Sequence, residues 1–134
     1  MVNLKLNNHL RIAIDGESSS GKSYASKIIG KKYKCFILNS GLAYRYASHL
    51  IIKNKPKKII PFLKSKFRNL NYKKLYKINL HSEKISSHVA TLATVKNVRN
   101  IIKMWQRKIV LQNNRILVEG RDSATVILKK NPKF

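Results

Sequence analysis

The chain is predicted to be α/β, a parallel sheet flanked by helices, and three features of the sequence predict it. Short apolar runs at 10–15, 35–38 and 115–119 have the length of buried strands. Helical stretches separate these runs, so strands alternate with helices rather than with one another. Each run also opens into a glycine-containing turn, at Gly16, Gly41 and Gly120.

Leu10-Arg11-Ile12-Ala13-Ile14-Asp15 is the first strand, apolar with a polar end. Lys22 to Lys32 follows as a helix, with Tyr24, Ala25, Ile28 and Ile29 as its apolar face and Gly30-Lys31-Lys32 marking its end. Cys35-Phe36-Ile37-Leu38 is the second strand, and Asn39-Ser40-Gly41 a turn into a helix over 42–52. This is the start of a βαβ unit. Residues 53–77 hold ten Lys or Arg, with Pro56 and Pro61 breaking the first part. The spacing of Ile59, Leu63, Phe67 and Leu70 suits a basic amphipathic helix with a solvated outer face. Helical period returns from Glu83, and Val98, Ile101, Ile102, Trp105, Ile109 and Gln112 form a stripe that places Trp105 in the core. Arg99, Lys103, Gln106 and Arg107 fall on the opposite side, facing solvent or a ligand. Arg115 to Glu119 is the third strand, Gly120-Arg121-Asp122 a loop, and Ser123 to Lys130 a short helix.

With 134 residues and 43% apolar side chains, the chain has enough material for one domain with its own core. No run of about 18 apolar residues is present, and Met1 to Leu10 has no apolar centre of the secretory kind. A single cysteine, Cys35, cannot form an internal disulfide. The expectation is a cytoplasmic protein, monomeric, without a membrane partner. The net charge of +24 comes from 29 Lys and Arg against 5 acids, with no carboxylate between Glu17 and Glu83. Such a field attracts any polyanion, nucleic acid included. The basic stretches nevertheless lack the interleaved surface aromatics of a nucleic-acid platform, and lysine solvating the surface is the plainer reading of the charge.

The first glycine turn carries the chemistry. Gly16-Glu17-Ser18-Ser19-Ser20-Gly21-Lys22-Ser23 matches Gly-x-x-x-x-Gly-Lys-Ser, a phosphate loop, and it sits between a predicted strand and a predicted helix as that motif requires. Gly16 and Gly21 allow a backbone that turns main-chain N–H groups onto phosphate oxygens. The helix beginning near Lys22 points its positive end at the same anion. Lys22 reaches the β- and γ-phosphates of ATP, and the Ser23 hydroxyl is a ligand for Mg²⁺. Glu119, at the carboxyl end of the third strand, either faces the loop and holds Mg²⁺ through water or caps the following turn. Asp15 can instead bind loop N–H groups and support their shape.

Further along, Ile12-Ala13-Ile14-Asp15-Gly16, Ser40-Gly41-Leu42-Ala43-Tyr44-Arg45, Val98-Arg99, Gln106-Arg107, Val118-Glu119-Gly120-Arg121-Asp122 and Thr125-Val126 together resemble the bacterial cytidylate kinases, in order and approximate spacing. The resemblance implies a P-loop kinase transferring the γ-phosphate of ATP to CMP or dCMP. It implies that Arg45 and Arg121 hold the phosphate of CMP, with Ser40 nearby, and that Arg99 and Asp122 address the cytosine. Lys22, Arg45 and Arg121 are then the catalytic set. Guanidinium forks suit phosphate, and a carboxylate can accept from the cytosine amine that uracil lacks. Read from the residues alone, the less favoured alternatives are Arg99 as a surface charge and Arg121–Asp122 as a local ion pair.

Several positions depart from the family pattern. Glu17 stands where the family has Pro, Asn39 where it has Asp, Ala90 where it has a base-binding Ser, and Ala124 where it has Gly. Ser86 and Ser87, one turn before Ala90, are candidate substitutes. Residues 53–90 correspond to a shortened, more basic monophosphate-binding insertion within a single domain spanning 1–134. The resemblance also implies a longer protein with a further strand from near Phe134, an Arg-rich lid and a final helix, so the sheet is expected to be incomplete at its C-terminal side. Alternatives of other kinds are a P-loop kinase for another small acceptor, a non-catalytic basic nucleic-acid module, and an inactive fragment.

Overall fold

The structure is a computed structural model and describes residues 9–17 and 21–128. Strands β1 (Leu10–Asp15), β2 (Phe36–Asn39) and β3 (Arg115–Gly120) form a small parallel sheet in the order β1-β3-β2, flanked by helices. β3, the last strand in sequence, therefore lies between the first two. In register, Asp15 faces Gly120 on one side of the sheet, and Asn39 faces Glu119 on the other. The carboxyl ends of all three strands thus converge around Glu119 and Gly120, so residues distant in sequence meet there. This is the α/β arrangement the alternation of strands and helices predicts.

The helices are α1 (Lys22–Lys32), α2 (Ser40–Asn54), α3 (Ile59–Phe67), α4 (Glu83–Leu92) and α5 (Lys96–Gln112). A 3₁₀ helix covers Tyr72–Lys77, and a π-helical turn covers Ser123–Ile127. The predicted turn at 39–41 is absent: Asn39 closes β2 and Ser40 opens α2 directly. The helix expected over 123–130 is the π-helical turn as far as Ile127, and its last positions lie outside the described residues. Pro61 does not break α3. It occupies the first turn, where a missing N–H costs nothing.

By its contacts the chain divides into two compact units, residues 1–40 with 106–134, and residues 41–105. The first holds the sheet and α1, with Leu38, Ile116, Leu117, Val118 and Val110 fully buried. The apolar face expected for α1 forms only in part, with Ala25 and Ile29 half-buried. Tyr24 and Ile28 are 75% and 51% exposed, while Ser26 and Gly30 are the buried positions. Small residues on the inner face let this helix lie close against the strands.

The second unit is built on α2, α3, α4 and most of α5. Here the predicted spacing largely holds. Leu63 and Phe67 are buried, Leu70 is half-buried and Ile59 is exposed. An aromatic cluster forms the centre: Phe67 meets Trp105 edge-on at 5.3 Å and Tyr46 at 5.9 Å, with Tyr72 tilted against Trp105 at 6.2 Å. The indole N–H of Trp105 donates to the Leu70 carbonyl at 3.1 Å, which satisfies its one polar atom. Trp105 is core, as its place in the stripe predicts. No helix among the described residues is long and apolar enough to cross a membrane.

Candidate functional site

The site is built where β1 and β3 end. Of the phosphate loop, Gly16, Glu17, Gly21, Lys22 and Ser23 are described, while Ser18, Ser19 and Ser20 lie outside the described residues. Gly21 takes φ +84°, the left-handed region that a side chain resists, and serves as the N-cap of α1. A Cβ there would meet nothing within 4 Å, so its glycine is required by backbone conformation and not by space. The Gly16 N–H donates to the Gly120 carbonyl at 3.0 Å, which holds the first residue of the loop to the end of β3. Lys22 donates from Nζ to the Glu17 carbonyl at 3.1 Å, bridging the two ends of the loop.

Glu119 is buried, 3% exposed, at the end of the central strand. One of its oxygens accepts from the Ser23 hydroxyl at 2.9 Å and from the Asn39 side-chain amide at 2.8 Å. Ser23 and Glu119 were candidates for the same Mg²⁺, and the fold brings them together across 96 residues of sequence. Asn39 supplies a donor to Glu119 where the family's Asp would set a second carboxylate against it.

Ser40 begins α2 and donates from its hydroxyl to the side-chain oxygen of Gln106. Gln106 was expected on the outer side of its helix. It is instead 1% exposed, because Ile102 and Ile109, four positions before and three after, lie on the same buried face. Gln112, expected within the apolar stripe, is exposed. Arg107 is half-buried and donates to the Val126 carbonyl at 2.7 Å, tying α5 to the π-helical turn.

Among the described residues, Asp15 is bonded to the segment that follows β3. Its two oxygens accept from the backbone N–H groups of Ser123 at 2.7 Å and Ala124 at 3.0 Å, beyond β3. Partial burial pushes its carboxyl upward, but the amides of Ala124 and Ser123 outweigh that and hold it below the ordinary 3.8. Arg121 is exposed and Asp122 half-buried in the corner between Gly120 and that turn. Gly120 has no room for a side chain: a Cβ would stand 2.9 Å from the Ser123 hydroxyl and 3.0 Å from the Ser40 Cβ.

In the second unit, the Arg45 guanidinium donates to the Leu80 carbonyl at 3.0 Å and to the Ser86 hydroxyl at 2.9 Å. Ser86, one of the candidate substitutes for the serine missing at Ala90, thus lies against Arg45. Arg99 is exposed on the first turns of α5. The residues that sequence reading missed are Asn39 and Gln106 as partners of Glu119 and Ser40, and Asp15 as the acceptor for the Ser123 and Ala124 amides. Only Gln106 left a signal, its spacing from Ile102 and Ile109.

Comparison with known proteins agrees with this geometry. The family model described as cytidylate kinase matches residues 12–133. The cytidylate kinase of Aquifex aeolicus is 30% identical over 135 residues, covering 92% of this chain and 60% of that protein. That of Clostridium botulinum (strain Langeland) is 30% identical over 135 residues, covering 92% of this chain and 62% of its own length. The bifunctional pantoate ligase/cytidylate kinase of Prochlorococcus marinus (strain MIT 9215) is 35% identical over 132 residues, covering 87% of this chain and 26% of that protein. The chain spans less than two thirds of the length of these relatives. With a phosphate loop leading into α1 and a Gly-Arg-Asp corner after the central strand, the chain belongs to the cytidylate kinase family.

Proposed function

We propose that this chain carries the machinery for transfer of the γ-phosphoryl group of ATP to CMP or dCMP, giving ADP and CDP or dCDP. The γ-phosphorus would gain a bond to an oxygen of the acceptor phosphate and lose its bond to the bridging β,γ-oxygen. The observation that carries this reading is the junction at the strand ends, where Gly21 turns the loop into α1 and Ser23 meets Glu119. Such chemistry asks a protein mainly to position phosphates and to neutralise charge. Lys22 and the amides after Gly16 are assigned to the ATP phosphates, Arg45 and Arg121 to the acceptor phosphate with Ser40 beside it, and Arg99 with Asp122 to the cytosine.

A hydroxyl and a carboxylate as close neighbours suit a hard cation that prefers oxygen and keeps part of its water shell. Ser23 would hold Mg²⁺ directly and Glu119 through water; the ion supplies charge neutralisation on the phosphates. We also assign residues 53–90 to a shortened monophosphate-binding insertion, and read the protein as a monomeric cytoplasmic enzyme on small nucleotides.

A coupled assay of ADP release with CMP, dCMP and UMP in turn tests the reading. Turnover should favour CMP and dCMP, and Asp122→Ala should erase the preference over UMP, since that carboxylate is the acceptor for the cytosine amine. ADP release that ignores the added monophosphate, or a preference for UMP in the parent chain, contradicts it.

A further inference from the structure

We propose that Asp15 is a positioning residue for the acceptor, whose carboxylate fixes the Arg121–Asp122 corner relative to the base of the phosphate loop. The proposal rests on the kinase reading above and adds to it a residue assigned to neither nucleotide.

β1 and β3 end side by side, with Asp15 opposite Gly120. From that pair the two functional segments leave the sheet, the phosphate loop from Gly16 and the Gly-Arg-Asp corner from Gly120. Two sets of bonds tie them. The Gly16 N–H donates to the Gly120 carbonyl at 3.0 Å, and the Asp15 carboxylate accepts from Ser123 at 2.7 Å and Ala124 at 3.0 Å. Arg121 and Asp122 are therefore the two residues between one point fixed by the sheet and another fixed by Asp15.

The chemistry of the anchor is specific. The first amides of a helical turn have no partner inside it, and an acid just before the turn commonly takes them. Asp122 occupies that place and makes no such bond with its side chain. Asp15 performs the capping from across the sheet. Two consecutive N–H donors need two acceptor oxygens, which a carboxylate has. An asparagine offers one, and turns its own N–H groups toward the second amide. With each of its oxygens accepting one of these amides, Asp15 orients the corner.

The test is Asp15→Asn and Asp15→Ala in the full chain, with KM for CMP and for ATP measured separately and CMP binding titrated without ATP. Loosening a phosphate-binding group by a fraction of its productive geometry should raise KM and Kd for CMP about tenfold or more, with Asn milder than Ala and KM for ATP nearly unchanged. A variant that loses only kcat, with both KM values intact, has merely lost folded molecules and overturns the proposal. So does unaltered CMP binding in both variants. If the parent chain itself neither binds nor phosphorylates CMP, the kinase reading falls first and takes this proposal with it.

Discussion

At Gly21 the backbone passes through φ +84° with open space where a side chain would go, which separates two reasons for glycine that are usually confounded. Alanine there should cost about 1–2 kcal/mol of stability from conformation alone, read by denaturant unfolding, with no rearrangement of neighbours. The Asp15 carboxylate makes a second prediction, in pH. Its folded-state value lies below the ordinary 3.8, so its bonds stabilise the fold fully above that pH and the contribution is lost as pH falls through the lower folded value. The difference in Tm between the parent and Asp15→Asn should therefore be constant near neutral pH and shrink in acid below pH 3.8. A gap that widens on acidification would contradict the assignment. The motif glycines and Lys22 were legible from sequence because their spacing is local. The partner of Asp15 was not, because 108 residues separate it from Ser123.

Elements show the same division. β1 and α1 fall where the strand pattern and the Gly-Lys-Ser signal put them, since each boundary is marked by its own residues. The face of α1 was misread because apolar spacing picked Tyr24 and Ile28, while close packing on the sheet selected the small Ser26 and Gly30. Gln106 was misplaced for a related reason: a polar side chain was assigned to the wet side, although the steps to Ile102 and Ile109 put it inside, where Ser40 satisfies it. The end of β3 approaches the start of α2 so closely that Gly120→Ala must push the Ser40 Cβ or the Ser123 hydroxyl. Overpacking of this kind costs about 1–3 kcal/mol, and thermal unfolding of that variant should show the loss. A Gly120→Ala protein as stable as the parent would mean that this junction is looser than described.

For the whole molecule, the fold class was legible because strands and helices alternate and the apolar runs are the right length. The order β1-β3-β2 was not, since no local pattern says which strand lies in the middle. A net charge of +24 gives the molecule a strongly attractive field for phosphates without saying where they bind. In the function proposed above, they are localised by the strand ends and the residues assigned to each nucleotide. One titration tests that assignment most directly: the isotope-labelled chain, followed by nuclear magnetic resonance, with Mg²⁺–ATP and CMP added separately. ATP should shift the amides of Gly21, Lys22 and Ser23, and CMP should shift the guanidinium resonances of Arg45 and Arg121. ATP that leaves those three amides unmoved, or CMP that moves neither arginine, would contradict the central claim.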